Sequence, residues 1–529
     1  MSLLLKRFLV VLMAIMLAMA VSACGPADDP DPVDDDDDPD PAEDIIDTVV
    51  IAFTTDFYDL DPHGHHLRSG IIRDVNQFDS LLHRDAETGD VIPSLAVSWE
   101  PIDDLTWEFK LREGVKFQNG DPFTAHDVKF SIERIQDPAE ESPQYGNVEP
   151  IKEVEVIDDY TVRLHTEFPW PLILQRMAFC PIIPKDYYQE VGREEFVENA
   201  PIGTGLYQHV DWARDDFTLQ TRFEDHWRGP APIENVRWVI IPETSTQVAE
   251  LKTGGIHIMR DLPPDLIPEL EAHDDTYVST NVILRTDRMF FDTREWPMSD
   301  RSFRQACNYA IDWDAIIDRI MGGLASRLAV SVTPMHFGFH PDLEPYPYDP
   351  DKAKELLEEA GYFDNPVPFT FHHPMAGAYR DVGDAVAGYL EEVGINIEVI
   401  YHDEGPTFFS LRNAGELDPK GMFYGAWGSY SMFDAAAILE PDFDTDIGLF
   451  GRWYWEHEEV DQMLLEARRT TDMDLREQLY WEIQEIVHEE APQIFMFHRN
   501  EILGVNKAVE IEARVDELIF LEDVKPVPR

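Results

Sequence analysis

The stretch Pro93-Ser94-Leu95-Ala96-Val97-Ser98-Trp99-Glu100 leads to Leu105-Thr106-Trp107-Glu108-Phe109-Lys110-Leu111-Arg112-Glu113-Gly114-Val115-Lys116-Phe117. It continues into Asn119-Gly120-Asp121-Pro122-Phe123-Thr124-Ala125-His126-Asp127-Val128. Trp107, Phe109 and Leu111 alternate with Glu108, Lys110 and Arg112, which puts the apolar side chains on one face of a half-buried strand. Asn119-Gly120 supplies turn chemistry. Thr124 and Asp127 stand at capping-box spacing ahead of Val128, Ile132 and Ile135, which share one helical face, so the spacing predicts a helix over 125–135. Val154 to Val156, Asp158-Asp159, then Val162 and Leu164 read as a hairpin.

Thr48-Val49-Val50-Ile51-Ala52-Phe53 is a short apolar run suited to a buried strand. Asp349-Pro350 opens a helix with an Ala353, Leu356, Leu357, Ala360 stripe that Gly361 ends. A second stripe, Val382, Val386, Tyr389, Leu390 and Val393, ends at Gly394 and passes into the strand Ile395–Val399. Helix into strand through glycine is an α/β unit. Phe303, Ala306, Cys307, Ala310, Ile317 and Met321 mark one long helix, and Leu475, Leu479, Ile483, Ile486 and Val487 another.

The chain has 529 residues, 44% hydrophobic, which is enough for several cores. With 104 acidic against 42 basic residues the net charge is −62, which repels a polyphosphate and excludes nucleic acid as a partner. Lys6 and Arg7 precede an apolar run from Phe8 to Val21, too short to span a bilayer and read as a secretory signal over residues 1–23. The run ends Val21-Ser22-Ala23-Cys24, which resembles the lipobox of bacterial lipoproteins and implies that Cys24 is lipidated; the alternative is a plain signal peptide with a coincidental cysteine. Residues 24–47 follow as a spacer whose 12 acidic residues, five prolines and lack of Lys or Arg keep it extended and disordered.

The quoted stretch resembles the signature of family 5 extracellular solute-binding proteins, the peptide, opine and nickel-type receptors of ABC importers. The similarity continues through Ile202-Gly203-Thr204-Gly205-Leu206-Tyr207, Arg304-Gln305-Ala306-Cys307 with Tyr309-Ala310-Ile311-Asp312, and Asp349-Pro350-Asp351-Lys352-Ala353-Lys354-Glu355-Leu356-Leu357. It reappears in the final helix and Ala491-Pro492. The resemblance implies an α/β protein of the periplasmic-binding-protein-like type II fold, with two lobes joined by a two-strand hinge plus an extra domain. It divides the body into lobe I (48–85, 200–285 and 500–529), domain II (86–199) and lobe III (286–499). The implied function is that of a substrate-binding lipoprotein, extracytoplasmic and lipid-anchored in the cell envelope. As a monomer it captures a small solute in the interlobe cleft and delivers it to a membrane permease.

Peptide is the first solute class expected and oligosaccharide the second. In peptide-binding members an aspartate two residues beyond a cleft tryptophan pairs with the ligand's α-ammonium. Here the segment reads Trp427-Gly428-Ser429-Tyr430, with Ser429 at that position and Asp434 as the next carboxylate. Either Asp434 substitutes, or the ligand is uncharged at that end, or it is no peptide. By the same resemblance Tyr424, Trp427 and Tyr430 lie in the cleft, and Trp453, Tyr454 and Trp455 replace a small polar stretch. Rings of this kind stack on sugars or side chains, or simply pack in lobe III. His63 and His373 border the cleft as candidate ligand contacts; a metal clamp is the lesser reading because HxHH matches no specific metal motif. Arg294 and Arg452 are candidate partners of a ligand carboxylate. Cys180 and Cys307 are expected as free, buried thiols. No GxSxG, HExxH or GxxxxGK[ST] motif is present and no cofactor or catalytic residue is expected; a secreted hydrolase or a sensory lipoprotein using the same cleft is the alternative.

Overall fold

The computed structural model describes residues 45–85, 88–374, 377–402, 406–417, 421–428 and 432–528. Cys24, Ser429 and Tyr430 therefore lie outside the described residues. In chain order the strands are β1 (Thr48–Phe53), β2 (Leu82–Arg84), β3 (Val91–Pro93), β4 (Ala96–Asp103), β5 (Thr106–Leu111), β6 (Ile151–Asp158), β7 (Thr161–Thr166), β8 (Tyr207–Ala213), β9 (Phe217–Arg222) and β10 (Asn235–Ile240). They continue with β11 (Ile258–Met259), β12 (Thr276–Phe291), β13 (Ala325–Arg327), β14 (Phe369–Pro374), β15 (Ile397–His402), β16 (Gly421–Trp427), β17 (Gln493–Asn506), β18 (Val509–Glu510) and β19 (Lys525–Pro526).

Two strands carry the architecture. Eleven strands form one sheet in the order β15-β14-β16-β12-β17-β11-β1-β10-β9-β8, with β13 also on β17. β12 has 16 residues and β17 has 14, against about 5–6 for an ordinary strand. They pair antiparallel in two stretches, Thr276–Val282 with Asn506–Asn500 and Thr286–Phe290 with His498–Gln493, and the register breaks between Val282 and Thr286. β11 joins β17 at Val505 and Gly504, on one side of the break; β16 joins β12 over Thr286–Phe291, on the other. One half of the sheet therefore holds β1 and β8–β11, the other β14–β16, and the pair β12–β17 is the two-strand hinge of a two-lobed molecule. In the break Ile283 and Leu284 are buried, and the Leu284 N–H is taken by the Val515 carbonyl at 3.0 Å, so the interruption is satisfied by the C-terminal segment rather than left open.

A separate four-stranded antiparallel sheet, β4-β5-β7-β6, is the extra domain. Its helix Ala125–Gln136 begins with the expected capping box between Thr124 and Asp127. One residue departs from the alternation on β5: Glu108 is buried, because its carboxylate is held by Lys110 and Arg163, each at 2.8 Å. The core of this domain, with Phe109, Val128, Ile132 and Leu164, is continuous with Val330, Ala435, Ile438, Leu439 and Tyr480 of the second lobe. Domain and lobe thus meet through an apolar surface.

The stripe expected to form one helix from Phe303 to Met321 forms two, Arg301–Tyr309 and Trp313–Arg319. The Asp312 side chain accepts from the Ala315 N–H and starts the second, so a cap interrupts an apolar periodicity that runs through it. Cys180 and Cys307 are free and buried. Among the described residues no helix is long and apolar enough to cross a membrane.

Candidate functional site

β14 runs parallel to both β15 and β16, so Pro374, His402 and Trp427 stand together at the carboxyl edge of this part of the sheet, where open α/β sheets bind ligands. Trp427 lies opposite Thr286, the first paired residue beyond the hinge break. Its indole N–H donates to the Ala437 carbonyl at 3.0 Å, which fixes the ring. Three residues earlier on the strand, and so on its other face, Tyr424 is buried and its hydroxyl donates to Asp287. His373 packs on Tyr424 with ring centroids 4.9 Å apart, and its Nδ1 lies 2.7 Å from the Pro374 carbonyl. Burial pushes the His373 pKa down to about 4, so the imidazole is neutral at physiological pH.

Beyond Trp427 the chain meets the C-terminal segment. A Cβ on Gly428 would stand 2.3 Å from Glu517 Oε1 and 3.2 Å from Arg285 Nη2, so only glycine lets the strand end come this close to that carboxylate. Glu517 is 1% exposed. Its Oε2 accepts from Arg68 Nη1 at 2.9 Å and from Arg285 Nε at 2.7 Å. Its Oε1 has no hydrogen-bond partner among the described residues. Burial alone would raise the Glu517 pKa; the Arg285 and Arg68 guanidiniums outweigh it and hold the carboxyl below its usual range, so the group is an anion. The network extends through Arg68 to Asp261 at 2.5 Å and through Arg260 to Glu501 at 2.5 Å. Arg285 sits in the break of the hinge ladder, which couples the charge cluster to the place where the lobes pivot.

The other residues expected at the site are engaged elsewhere. Asp434 is 1% exposed, and its carboxylate takes Arg476 Nη2 and, at 3.1 Å, the Ala436 N–H. Taking a ligand ammonium there would mean giving up Arg476. His63 is buried between the Pro181 carbonyl, 2.8 Å from Nε2, and Arg134 Nη1, 3.0 Å from Nδ1. Burial, reinforced by Arg134, pushes its pKa down to about 4. Arg294 forks onto Asp292 at 2.6 and 2.5 Å, and Arg452 donates to the Asp446 carbonyl. Tyr454 and Trp455 are buried in the second lobe, Trp455 against Phe443, whereas Trp453 is exposed. His372 lies 2.8 Å from His402 through ring nitrogens, but among the described residues no group of three His, Cys, Asp or Glu gathers at metal-binding spacing.

The structure thus leaves Trp427 at the strand end, while Tyr424 and His373 pack together on the other face of the sheet. Glu517, Arg285 and Arg68 were missed by sequence reasoning. Arg68 and Glu517 are 449 positions apart, and in a chain with 104 carboxylates nothing local singles one of them out.

Residues 90–448 match the profile of bacterial extracellular solute-binding proteins, family 5, middle region. The glutathione-binding protein GsiB of Escherichia coli K12 is 29% identical over 469 residues, covering 84% of this chain and 88% of that protein. Among solved structures, the ABC transporter-associated periplasmic binding protein DppA from Helicobacter pylori in complex with the peptide STSA superposes with a TM-score of 0.80 at 25% identity, covering 90% of this chain and 98% of DppA. A dipeptide-binding protein from Pseudoalteromonas in complex with Met-Leu gives 0.82 at 23% identity, covering 91% and 100%. NikZ from Campylobacter jejuni in complex with Ni(L-His) gives 0.79 at 22%, covering 90% and 99%.

Proposed function

Because the chain belongs to the bacterial extracellular solute-binding proteins of family 5, we propose that it captures a peptide-like solute between its two lobes and presents it to the permease of an ABC importer. The observation that carries this reading is the position of the buried, anionic Glu517 beside Gly428, one residue past the Trp427 ring and against the hinge break. A carboxylate held through one oxygen by two arginines, with its other oxygen lacking a donor among the described residues, suits a ligand ammonium, which needs a paired charge once it leaves water. Trp427, half-buried at the strand end, offers an apolar face for the rest of the solute, and Ser429 and Tyr430 belong to the same cleft segment in this reading. The relatives described as binding glutathione or the peptide STSA support the class.

In this mechanism lobe I (48–85, 200–285, 500–529) and lobe III (286–499) pivot about β12 and β17, with domain II (86–199) moving as one body. Solute bound between them stabilises the closed form, and the permease reads that shape. No bond of the solute is broken. Lipid on Cys24 tethers a monomer to the envelope, with the acidic residues 24–47 as spacer.

The test is native mass spectrometry of the purified protein, followed by tryptophan fluorescence titration with trialanine and glutathione. One solute per chain, released with unchanged mass and belonging to the peptide class, is the expected result. Release of cleavage products, or a neutral sugar as the sole guest, would overturn the reading.

A further inference from the structure

Arg84 closes β2, the first strand of a small hairpin with β3 that leads into the extra domain. The residue is 3% exposed. Its Nη1 donates to the Gly89 carbonyl, while Nε and Nη2 are buried with no hydrogen-bond partner among the described residues. The guanidinium lies over the Phe433 ring, 5.6 Å from its centroid. Gly89, at φ +73°, packs on the same ring so closely that a Cβ there would stand 2.8 Å from it. Arg84 is therefore pressed against the segment that follows the cleft tryptophan, at the seam between the β2–β3 hairpin and lobe III.

The anions around Arg84 are already matched to other cations. Asp516 accepts from Arg514 Nε at 3.0 Å, from Arg514 Nη2 at 2.8 Å and from the Leu518 N–H at 3.2 Å. Asp434 holds Arg476. Asp90 is exposed to water. Burial accordingly pushes the Arg84 pKa down to about 10, with Asp516 opposing only in part. A buried guanidinium with two unmet N–H directions is unfavourable unless something supplies acceptors, and the acceptor that fits its planar fork is a carboxylate. Phe433 beneath Arg84 lies five positions along the chain from Gly428 beside Glu517, so the unmet cation and the open anionic oxygen border one stretch of chain.

We propose that Arg84 is the anchor for a carboxylate of the bound solute, received through Nε and Nη2 where the β2–β3 hairpin packs on Phe433. The proposal rests on the cleft reading above but not on the solute being a peptide. It makes the acid end of the solute, rather than its side chains, the feature that this hairpin recognises.

The experiment measures calorimetric affinity of the full chain and of its Arg84→Gln and Arg84→Lys variants for acid and neutral probes: trialanine against trialaninamide, and trigalacturonate against maltotriose. Thermal melts without added solute run in parallel. The expected result is that the wild type prefers the acid member of at least one pair by 10-fold or more. Arg84→Gln reduces that preference to within about 3-fold and Arg84→Lys retains part of it, as a point charge without the fork does. Arg84→Gln also melts no lower than the wild type, because it removes an unmatched buried cation. A preference confined to trigalacturonate overturns the peptide reading and supports Arg84 as anchor. A neutral probe bound as tightly as its acid, or acid preference that survives Arg84→Gln, overturns the anchor. If no probe binds, the melts decide: a lower midpoint for Arg84→Gln makes the residue structural and sinks the proposal, and an equal or higher one supports it.

Discussion

Replacing Glu517 with Gln tests the hinge cluster and the cleft together. The substitution keeps the shape and removes the charge. In the native protein Glu517 Oε2 accepts two charge-assisted hydrogen bonds, from Arg68 at 2.9 Å and Arg285 at 2.7 Å, at a side chain with no exposed surface. The amide oxygen of Gln can still accept from these donors, but as a neutral group, and its NH2 must occupy the other position, beside Gly428 or against an arginine. Hydrogen bonds to charged groups contribute roughly 1.5–3 kcal/mol each, and removing one partner of a buried ion pair costs about 3–5 kcal/mol. Because one acceptor survives, a loss of about 2–4 kcal/mol is expected. Denaturant unfolding of the full chain measures it, with Glu355→Gln as control: the Lys352–Glu355 pair, 44% and 73% exposed, is a surface contact whose loss falls within roughly 1 kcal/mol. The second readout is affinity for trialanine against N-acetyl-trialanine, in which the wild type prefers the free amine and Glu517→Gln does not. A stability change no larger than the control, together with an intact preference for the amine, would refute the reasoning that this carboxylate is both a structural counter-charge and the ammonium site.

Two further outcomes follow from the same geometry. Gly428→Ala places a methyl 2.3 Å from Oε1 of a carboxylate whose other oxygen two arginines hold still, so the strand end must shift; a stability loss of about 1–3 kcal/mol and a larger loss of solute affinity are expected from melts and titrations, and an alanine variant that binds normally contradicts the close approach. For pH, His63 and His373 have pKa values pushed down to about 4 by burial, against about 6.5 when unfolded. The unfolded chain therefore binds these protons first as pH falls, so the stability they contribute is complete above about 6.5 and is lost between there and about 4, roughly 3 kcal/mol for each histidine. Melting curves from pH 7.5 to 4.5 should fall through that window, and histidine ring resonances titrating near their ordinary value would contradict it.

The local elements were legible because their signals are short-ranged. The Thr124–Asp127 cap, the β6–β7 hairpin and the Asp349-Pro350 helix start lie within a few residues of the contacts that make them, and all form as their spacing predicts. The long helix from Phe303 failed because apolar periodicity reports burial and passes unbroken through Asp312, whereas the break depends on one side-chain cap. Glu108 was misread for a related reason: alternation assigns a charged residue to water, and only the neighbouring strand shows that Arg163 waits for it. Of the aromatics that the resemblance put in the cleft, Trp427 ends its strand at the carboxyl edge of the sheet, whereas Tyr424 lies three residues back, buried in the core of the second lobe. His63, Asp434, Arg294 and Arg452 were equally plausible in the sequence, but each has its polar atoms taken up by a partner within the fold.

What the sequence determined by itself is the family, the α/β character and the identity of the elements, since periodicity, caps and glycine stops act over a few residues and leave their mark in the chain. The tertiary structure decided which charges are matched and which are left open. Glu517 finds Arg68 and Arg285 from distant segments, Asp516 takes Arg514 and Asp434 takes Arg476, while Arg84 is left with two unmet donors among the described residues. An ion pair exists only where two side chains meet within a few ångströms, and in so acidic a chain nearly every arginine has many possible partners; only the folded arrangement selects among them.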